Sequence, residues 1–379
     1  MKRRDFLGAS AAALLAPRYA FAQEGYRRLL VLIELKGGND GLNSVIPYAD
    51  ANYRDLRPRL AVPRDQVLQL DETAGLHPAL KPLLPLWQAR ELAIVQGVGY
   101  PDPNLSHFRS IEIWNTASRS DEYLPEGWLA RAFAARPVPA GYAADGVVVG
   151  GNDMGPLAGP GTRVIVLSQP EQFLRQAKLV TATGTSRNAA LGHILRIEAD
   201  IVQAASRLDG GAPLRTQFPK TAFGNAVRIA AGLAANPAGV AAIRLSLDGF
   251  DTHQGQANVH ARLLGELAEG IAALKAALTE IGRWDSTLVM TYAEFGRRAR
   301  ENHTGGTDHG TASAYFVTGG RVRGGLYGAR PNFSDLDGGN LRFALDFRCL
   351  YATALEKWWG TPGAQALGGR YEALDLLRA

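Results

Sequence analysis

Leu29-Leu30-Val31-Leu32-Ile33-Glu34-Leu35, followed by Lys36-Gly37-Gly38-Asn39-Asp40-Gly41, is the stretch on which the fold turns. Seven residues, six of them apolar, closed by a glycine pair predict a strand buried on both faces. A strand buried on both faces belongs in a parallel sheet covered by helices. Working outward, further short strands are predicted at Leu92–Val98, Val147–Val149, Val164–Leu167, Val240–Leu247, Leu288–Tyr292 and Tyr315–Thr318. Between them lie helical patterns at 105–116, with Ser106 at the N-cap, at 188–208, at 222–235 and at about 256–282, the last closed by Gly282. A terminal helix is predicted over 345–359. Strands alternating with helices give an α/β class: a doubly wound, mostly parallel sheet with helices on both faces.

The first residues carry a different message. Lys2-Arg3-Arg4-Asp5-Phe6-Leu7, an apolar run from Ala11 to Ala16, and Ala20-Phe21-Ala22 are the charged head, apolar middle and small-residue exit of a twin-arginine signal peptide. The expectation is therefore a leader over 1–22 and a single domain over 23–379, with an excursion around 117–162 that is rich in Gly and Pro from 136 onward. The apolar run is too short for a bilayer, which needs roughly 20 residues, and no later segment offers a span. The expected address is periplasmic or secreted, with the twin-arginine translocase as a partner.

Composition is 46% hydrophobic and 20% charged, which permits a large core and excludes a disordered chain. The net charge of +5 overstates the basicity, because Lys2, Arg3, Arg4 and Arg18 against Asp5 account for three of those charges. Without a dense Lys/Arg run beyond residue 30, no nucleic-acid partner is expected. Cys349 is the single cysteine, so no internal disulfide forms; its apolar surroundings mark it as a core thiol.

In open α/β sheets ligands bind beyond the carboxyl ends of strands. Those ends deliver Asp40 after the first strand, Ser106-His107 after the second, Asp251-Thr252-His253, Glu294 with Arg297, and then Asp308-His309 in a Gly-rich loop. Carboxylates and imidazoles at one edge suit divalent ions, oxygen donors the harder ones and histidine zinc. A pair of ions can clamp a phosphoryl or sulfuryl group, and a hydroxyl such as that of Ser106 sits where a helix N-terminus favours an anion. Read singly, each piece is bland. Gly-Gly-Asn-Asp-Gly is also a tight turn, Ser106 a helix cap, His107 a capping histidine, and Glu294–Arg297 a surface ion pair. Asp308-His309 is the hardest to explain structurally. His77 and His260 read as packing or surface residues, with His193 and His303 leaning the same way. The G-x-G-x-x-G spacing of a dinucleotide site is missing, which argues against a nucleotide-dependent oxidoreductase.

Taken together, GGNDGLNSVIP at 37–47, SHF at 106–108, GWLAR at 127–131, GFDTH at 249–253, EFGR at 294–297 and GTDHG at 306–310 resemble the family catalogued as domain of unknown function 1501. That family looks like a remote branch of the alkaline phosphatase and sulfatase superfamily. The resemblance implies an alkaline phosphatase-like sheet, one or two divalent ions and a hydroxyl nucleophile. It implies Ser106 as nucleophile, and Asp251, His253 and His309 as a zinc-like site. Asp40 and Glu294 would form a site for a harder ion such as Mg, Mn or Ca, and Asp308 is a further candidate ligand. Phe295 departs from the expected pattern, because an Asp-His pair normally ends this strand. Arg297 would neutralise an anionic ester substrate if it turns inward. Two functions follow as expectations: a metal-dependent hydrolase of a phosphate or sulfate ester, or a non-catalytic exported metal-binding or assembly protein that keeps the fold.

Overall fold

The structure, a computed structural model, describes residues 25–168 and 214–378. The leader, the predicted helix over 188–208 and His193 lie outside the described residues. The chain folds around a mixed, mostly parallel sheet of nine strands among the described residues. These are β1 (Leu29–Lys36), β2 (Leu92–Gly99), β3 (Ala144–Val149), β4 (Val164–Leu167), β5 (Val240–Asp248), β6 (Thr287–Tyr292), β7 (Ser313–Thr318), β8 (Gly325–Gly328) and β9 (Leu345–Asp346). The spatial order is β8-β2-β7-β6-β1-β5-β3-β4, with β9 paired to β2. β3 sits inside the sheet, between β5 and β4, in the middle of the stretch expected to leave it.

β1 is central, parallel to β5 on one side and β6 on the other. Every residue from Leu29 to Leu35 is buried, including the alternating side chains that face opposite ways. Both faces are therefore covered, as the continuous apolar run requires. β7 runs antiparallel to both β6 and β2. Its first residue consequently lies at the edge where β6 ends, so the chain from Ala293 to Ala312 never leaves that edge.

The helices among the described residues include α1 (Gly41–Ser44), α2 (Ala51–Leu56), α3 (His107–Thr116), α4 (Trp128–Ala135), α5 (Ala222–Ala235), α6 (Gln256–Glu280) and α7 (Arg348–Ala352). α5 begins at Thr221, whose hydroxyl accepts from the Gly224 N–H at 3.0 Å. α6 ends before Gly282, whose φ of +67° stops it. The predicted terminal helix starts three residues late and widens to π geometry over Thr353–Trp358. There the Thr353 hydroxyl donates back to the Cys349 carbonyl at 2.7 Å. Cys349 is buried, and burial raises its thiol pKa. Among the described residues no helix is long and apolar enough to cross a membrane.

Candidate metal centre

The site is built where β1, β2, β5 and β6 end. After β1, Gly37 and Gly38 take φ of +112° and +77°. A Cβ on Gly37 would fall 2.4 Å from the Asp251 nitrogen, and one on Gly38 would fall 2.4 Å from the Phe295 ring. The glycine pair thus lets three strand ends close on one another. Its two N–H groups turn toward Glu294: Gly37 N donates to Oε1 at 2.9 Å and to Oε2 at 3.2 Å, and Gly38 N to Oε2 at 3.1 Å.

Glu294 also holds His107, the first residue of α3. The His107 Nδ1 lies 2.8 Å from Glu294 Oε1. A carboxylate can only accept here, so Nδ1 carries the proton and Nε2 keeps its lone pair. That Nε2 is buried with no hydrogen-bond partner, 3.3 Å from Asp251 Oδ2. The hydrogen bond to Glu294 raises the His107 pKa, against the opposing effect of burial.

His309 is set the same way. Its Nδ1 donates to the Leu105 carbonyl at 2.8 Å, which leaves the Nε2 lone pair pointing at Asp251 Oδ1, 3.3 Å away. Burial lowers its pKa. His253 Nε2 lies 3.0 Å from that same oxygen and 3.0 Å from His309 Nε2. Behind it, His253 Nδ1 faces Asp308 Oδ1 at 3.5 Å. Burial raises the Asp251 carboxyl, but the hydrogen bond and charge of Arg297, with His253 and His107, outweigh it and bring its pKa to about 2.

Asp251 Oδ1, His253 Nε2 and His309 Nε2 therefore form a triangle with edges of 3.0, 3.0 and 3.3 Å. A tetrahedral ion with bonds of roughly 2.0–2.1 Å has ligand–ligand edges of about 3.3–3.4 Å. The donor atoms of His107, Asp251 and His309 also lie within 4.8 Å of one another. Three imidazoles and one carboxylate, each imidazole backed on its other nitrogen by a carboxylate or a carbonyl, suit a zinc-like ion. The cluster fits a single metal ion.

Four expected roles need correction. Asp40 is no ligand: it is buried, and its Oδ2 is taken by Arg57 Nη1 at 2.6 Å and by Gln256 Nε2, while Oδ1 caps α1 through Leu42 N at 3.2 Å. Burial raises its pKa, and the charge and hydrogen bond of Arg57 outweigh that and lower it. Glu294 spends its oxygens on the glycine pair and His107, so it orients a ligand rather than being one. Asp308 stands behind His253 in the same supporting role. Arg297 does turn inward, but too far to meet a substrate. With its side chain 0% exposed, it donates to the Gly38 carbonyl at 2.7 Å, the Thr307 carbonyl at 2.9 Å, the Phe250 carbonyl at 3.1 Å, the Gly37 carbonyl and Asp251 Oδ1 at 2.7 Å. It binds the strand-end loops together and holds Asp251 ionised.

Ser106 is exposed at the start of α3, and its hydroxyl makes no capping bond. Its neighbours on either side reach the cluster, Leu105 through its carbonyl and His107 through its ring. Phe295 is buried beneath, with ring centroids 4.9 Å from His107 and 4.5 Å from His309. It forms an apolar floor. The next residue of α3, Phe108, is 87% exposed.

Sequence reasoning placed His107 among the strand-end residues but read it singly as a capping histidine, and it missed Arg57 and Gln256 altogether. An imidazole at the start of the helix that follows a strand end was the available signal for His107. Arg57, in the polar run Arg54 to Arg59, gave none. His77 caps a turn through Nδ1, accepting from Ala79 N at 3.1 Å, and His260 packs under the glycine turn with Nε2 donating to Asn39 Oδ1 at 2.9 Å.

The chain belongs to the family described as Protein of unknown function (DUF1501), whose model matches residues 74–355. No curated protein matches. Among solved structures it is similar to the phosphonate monoester hydrolase SpPMH from Silicibacter pomeroyi, at 13% identity over 92% of this chain and 77% of that one, with a TM-score of 0.41. It is also similar to the PsFucS1 sulfatase from Pseudoalteromonas sp., at 11% identity over 97% and 74%, with a TM-score of 0.42. A third is the C-terminal periplasmic domain of EcEptC from Escherichia coli in complex with Zn, at 12% identity over 77% and 73%, with a TM-score of 0.36.

Proposed function

We propose that this chain is a hydrolase of a phosphate or sulfate ester that works with one divalent ion, exported to the periplasm by the twin-arginine route. The observation that carries the reading is the triangle of Asp251, His253 and His309 donor atoms, with the unpartnered His107 Nε2 facing the same carboxylate. When bound there, a divalent ion supplies fixed positive charge for the anion that develops during ester cleavage. Asp251, His107, His253 and His309 hold it. Glu294, Asp308 and the Leu105 carbonyl keep the imidazoles in the binding tautomer. Phe295 keeps water from beneath them.

Ser106 is the candidate nucleophile. Its hydroxyl is exposed, unbonded, and placed at the N-terminus of a ten-residue helix, where backbone N–H groups favour negative charge. Ser106 Oγ bonds to phosphorus or sulfur and gives its proton to water as the bond to the leaving oxygen breaks; that oxygen keeps the electron pair and takes a proton from water, and a second water then cleaves the seryl ester and restores the hydroxyl. Ion pairing of Asp40 with Arg57 and the full use of Glu294 favour one ion over two. The same observation supports a second reading, in which the chain binds metal without turnover.

A panel of aryl phosphate, phosphodiester and aryl sulfate, assayed with zinc or manganese, separates the two. The hydrolase reading expects turnover with at least one ester, lost in Ser106→Ala while metal content is kept. Stoichiometric metal without turnover on any ester supports the second reading. Export is tested separately: replacing Arg3 and Arg4 by Lys should hold the protein in the cytoplasm, and continued export would count against the twin-arginine route.

A further inference from the structure

We propose that the cavity beside the metal centre binds an anionic oxygen group carried on the substrate's leaving group, through Arg298. This rests on the hydrolase reading for the word substrate; the anion site itself does not. The cavity has a volume of about 540 Å³, and its walls include Leu105, Arg298, Thr311, Asn340, Arg342 and Phe343. It shares a wall with the cluster. Leu105 gives its carbonyl to His309, Thr311 follows His309 by two residues, and Arg298 follows the arginine that grips Asp251.

The charges lining the cavity are unevenly satisfied. Arg342 pairs with Asp335 at 2.9 Å and with Asp337 at 3.5 Å. Asp102 and Asp337 are the acidic groups of the lining, and Asp337 is the one already paired. The Arg298 backbone is pinned at both ends, its N–H to the Asp308 carbonyl at 3.0 Å and its carbonyl to Arg57 Nη2 at 2.9 Å. Its guanidinium has neither a hydrogen bond nor an ion pair among the described residues, although its charge helps hold Asp308 ionised. Its Nε is buried and unpartnered. A buried donor without an acceptor is costly, and a guanidinium's planar fork matches carboxylate, phosphate or sulfate. In the same lining, Asn340 Oδ1 is also buried without a partner among the described residues, while its Nδ2 donates to the Asp337 carbonyl at 3.1 Å. That oxygen accepts from a hydroxyl or amide. Leu105, Leu341 and the partly exposed Phe343 give the lining its apolar part. The ligand is accordingly an organic anion that also bears a hydroxyl.

The test uses zinc-loaded protein and two measurements. The first compares kcat/KM for phenyl phosphate and 4-carboxyphenyl phosphate. The second is calorimetric titration with glucuronate, a hydroxylated carboxylate whose binding needs no turnover. Wild type should favour the carboxylated ester by about 10–100-fold, mostly through KM, as a charge-assisted hydrogen bond implies. It should also bind glucuronate. Arg298→Met should erase both effects with zinc content retained, and Arg298→Lys should restore part of them. Turnover without preference, and without an effect of Arg298→Met, overturns the inference and leaves the hydrolase reading standing. Glucuronate binding that depends on Arg298, with no turnover on these esters, on the phosphodiester or on the aryl sulfate, keeps the anion site and sinks the hydrolase reading. Absence of both preference and binding overturns the inference.

Discussion

Glu294→Gln tests the claim that a ligand is held by its supporting carboxylate. Glu294 accepts from three donors: Gly37 N, Gly38 N and His107 Nδ1. A glutamine amide keeps one accepting oxygen and puts an NH2 group in place of the other. If the oxygen faces the glycine pair, the NH2 meets the His107 Nδ1–H and drives the ring to its other tautomer, which protonates Nε2. If it faces His107, Gly38 N loses its acceptor. The first orientation takes the Nε2 lone pair from the metal by protonating it toward Asp251 Oδ2; the second orphans a buried donor, which costs about 1–3 kcal/mol in the apo-protein. Loss of a partner behind a metal-bound histidine typically weakens metal binding about 10–100-fold. Urea unfolding of apo-protein reads the stability cost, and zinc competition against a chromogenic chelator reads the affinity. His107→Ala should weaken zinc at least as much, and adding Glu294→Gln to it should cost little more affinity, since both act through one ring. If apo stability falls while zinc affinity stays within about twofold of wild type, Glu294 only ties the glycine turn and His107 is no ligand.

Three further outcomes follow from the same geometry. Burial lowers the His260 pKa from 6.5 to about 4, so the fold keeps it neutral; its stabilising effect is complete above 6.5 and is lost as pH falls toward 4. Between about pH 7.5 and pH 4.5 this amounts to about 2–3 kcal/mol of unfolding free energy, which His260→Gln should remove from the slope; parallel acid limbs for both proteins would contradict it. Ser106→Ala should change unfolding free energy by less than about 0.5 kcal/mol, rather than the roughly 1 kcal/mol of a lost cap, because the hydroxyl makes no capping bond; a clearly larger loss in urea melts would show that it caps in solution. Phe295→His buries an unpartnered imidazole under His107 and His309, so it should lower the melting temperature without adding a second ion per chain; a rise in metal content would revive the two-ion site.

The sheet was largely legible because its central strands are predominantly apolar runs ending in glycine or a polar turn. β1, β2, β5 and β6 and the long α6 all follow from that pattern. β8 and β9 did not, since Gly325–Gly328 and Leu345–Asp346 are short and half-exposed, with little apolar signal. The reversal of β7 was equally hidden, because a buried strand reads alike in either direction. At the site, the gathering of strand-end loops was legible but the division of labour was not. Asp40 and Asp251 are the same chemical group after equivalent strands. Both pair with a buried arginine, but Asp40 is sealed in by Arg57, 17 residues on, while Asp251, held by Arg297, stays 44% exposed among three imidazoles. Nothing in the spacing distinguishes them. Likewise Glu294, the expected ligand, instead orients His107 through a single hydrogen bond.

The most direct test is the metal content of protein taken from the periplasm without added metal, by elemental mass spectrometry. The account predicts one zinc-like ion per chain in wild type, lost in Asp251→Ala and in His309→Ala and retained in Asp40→Asn. No ion in wild type, or an ion that survives both ligand substitutions but not Asp40→Asn, would contradict it.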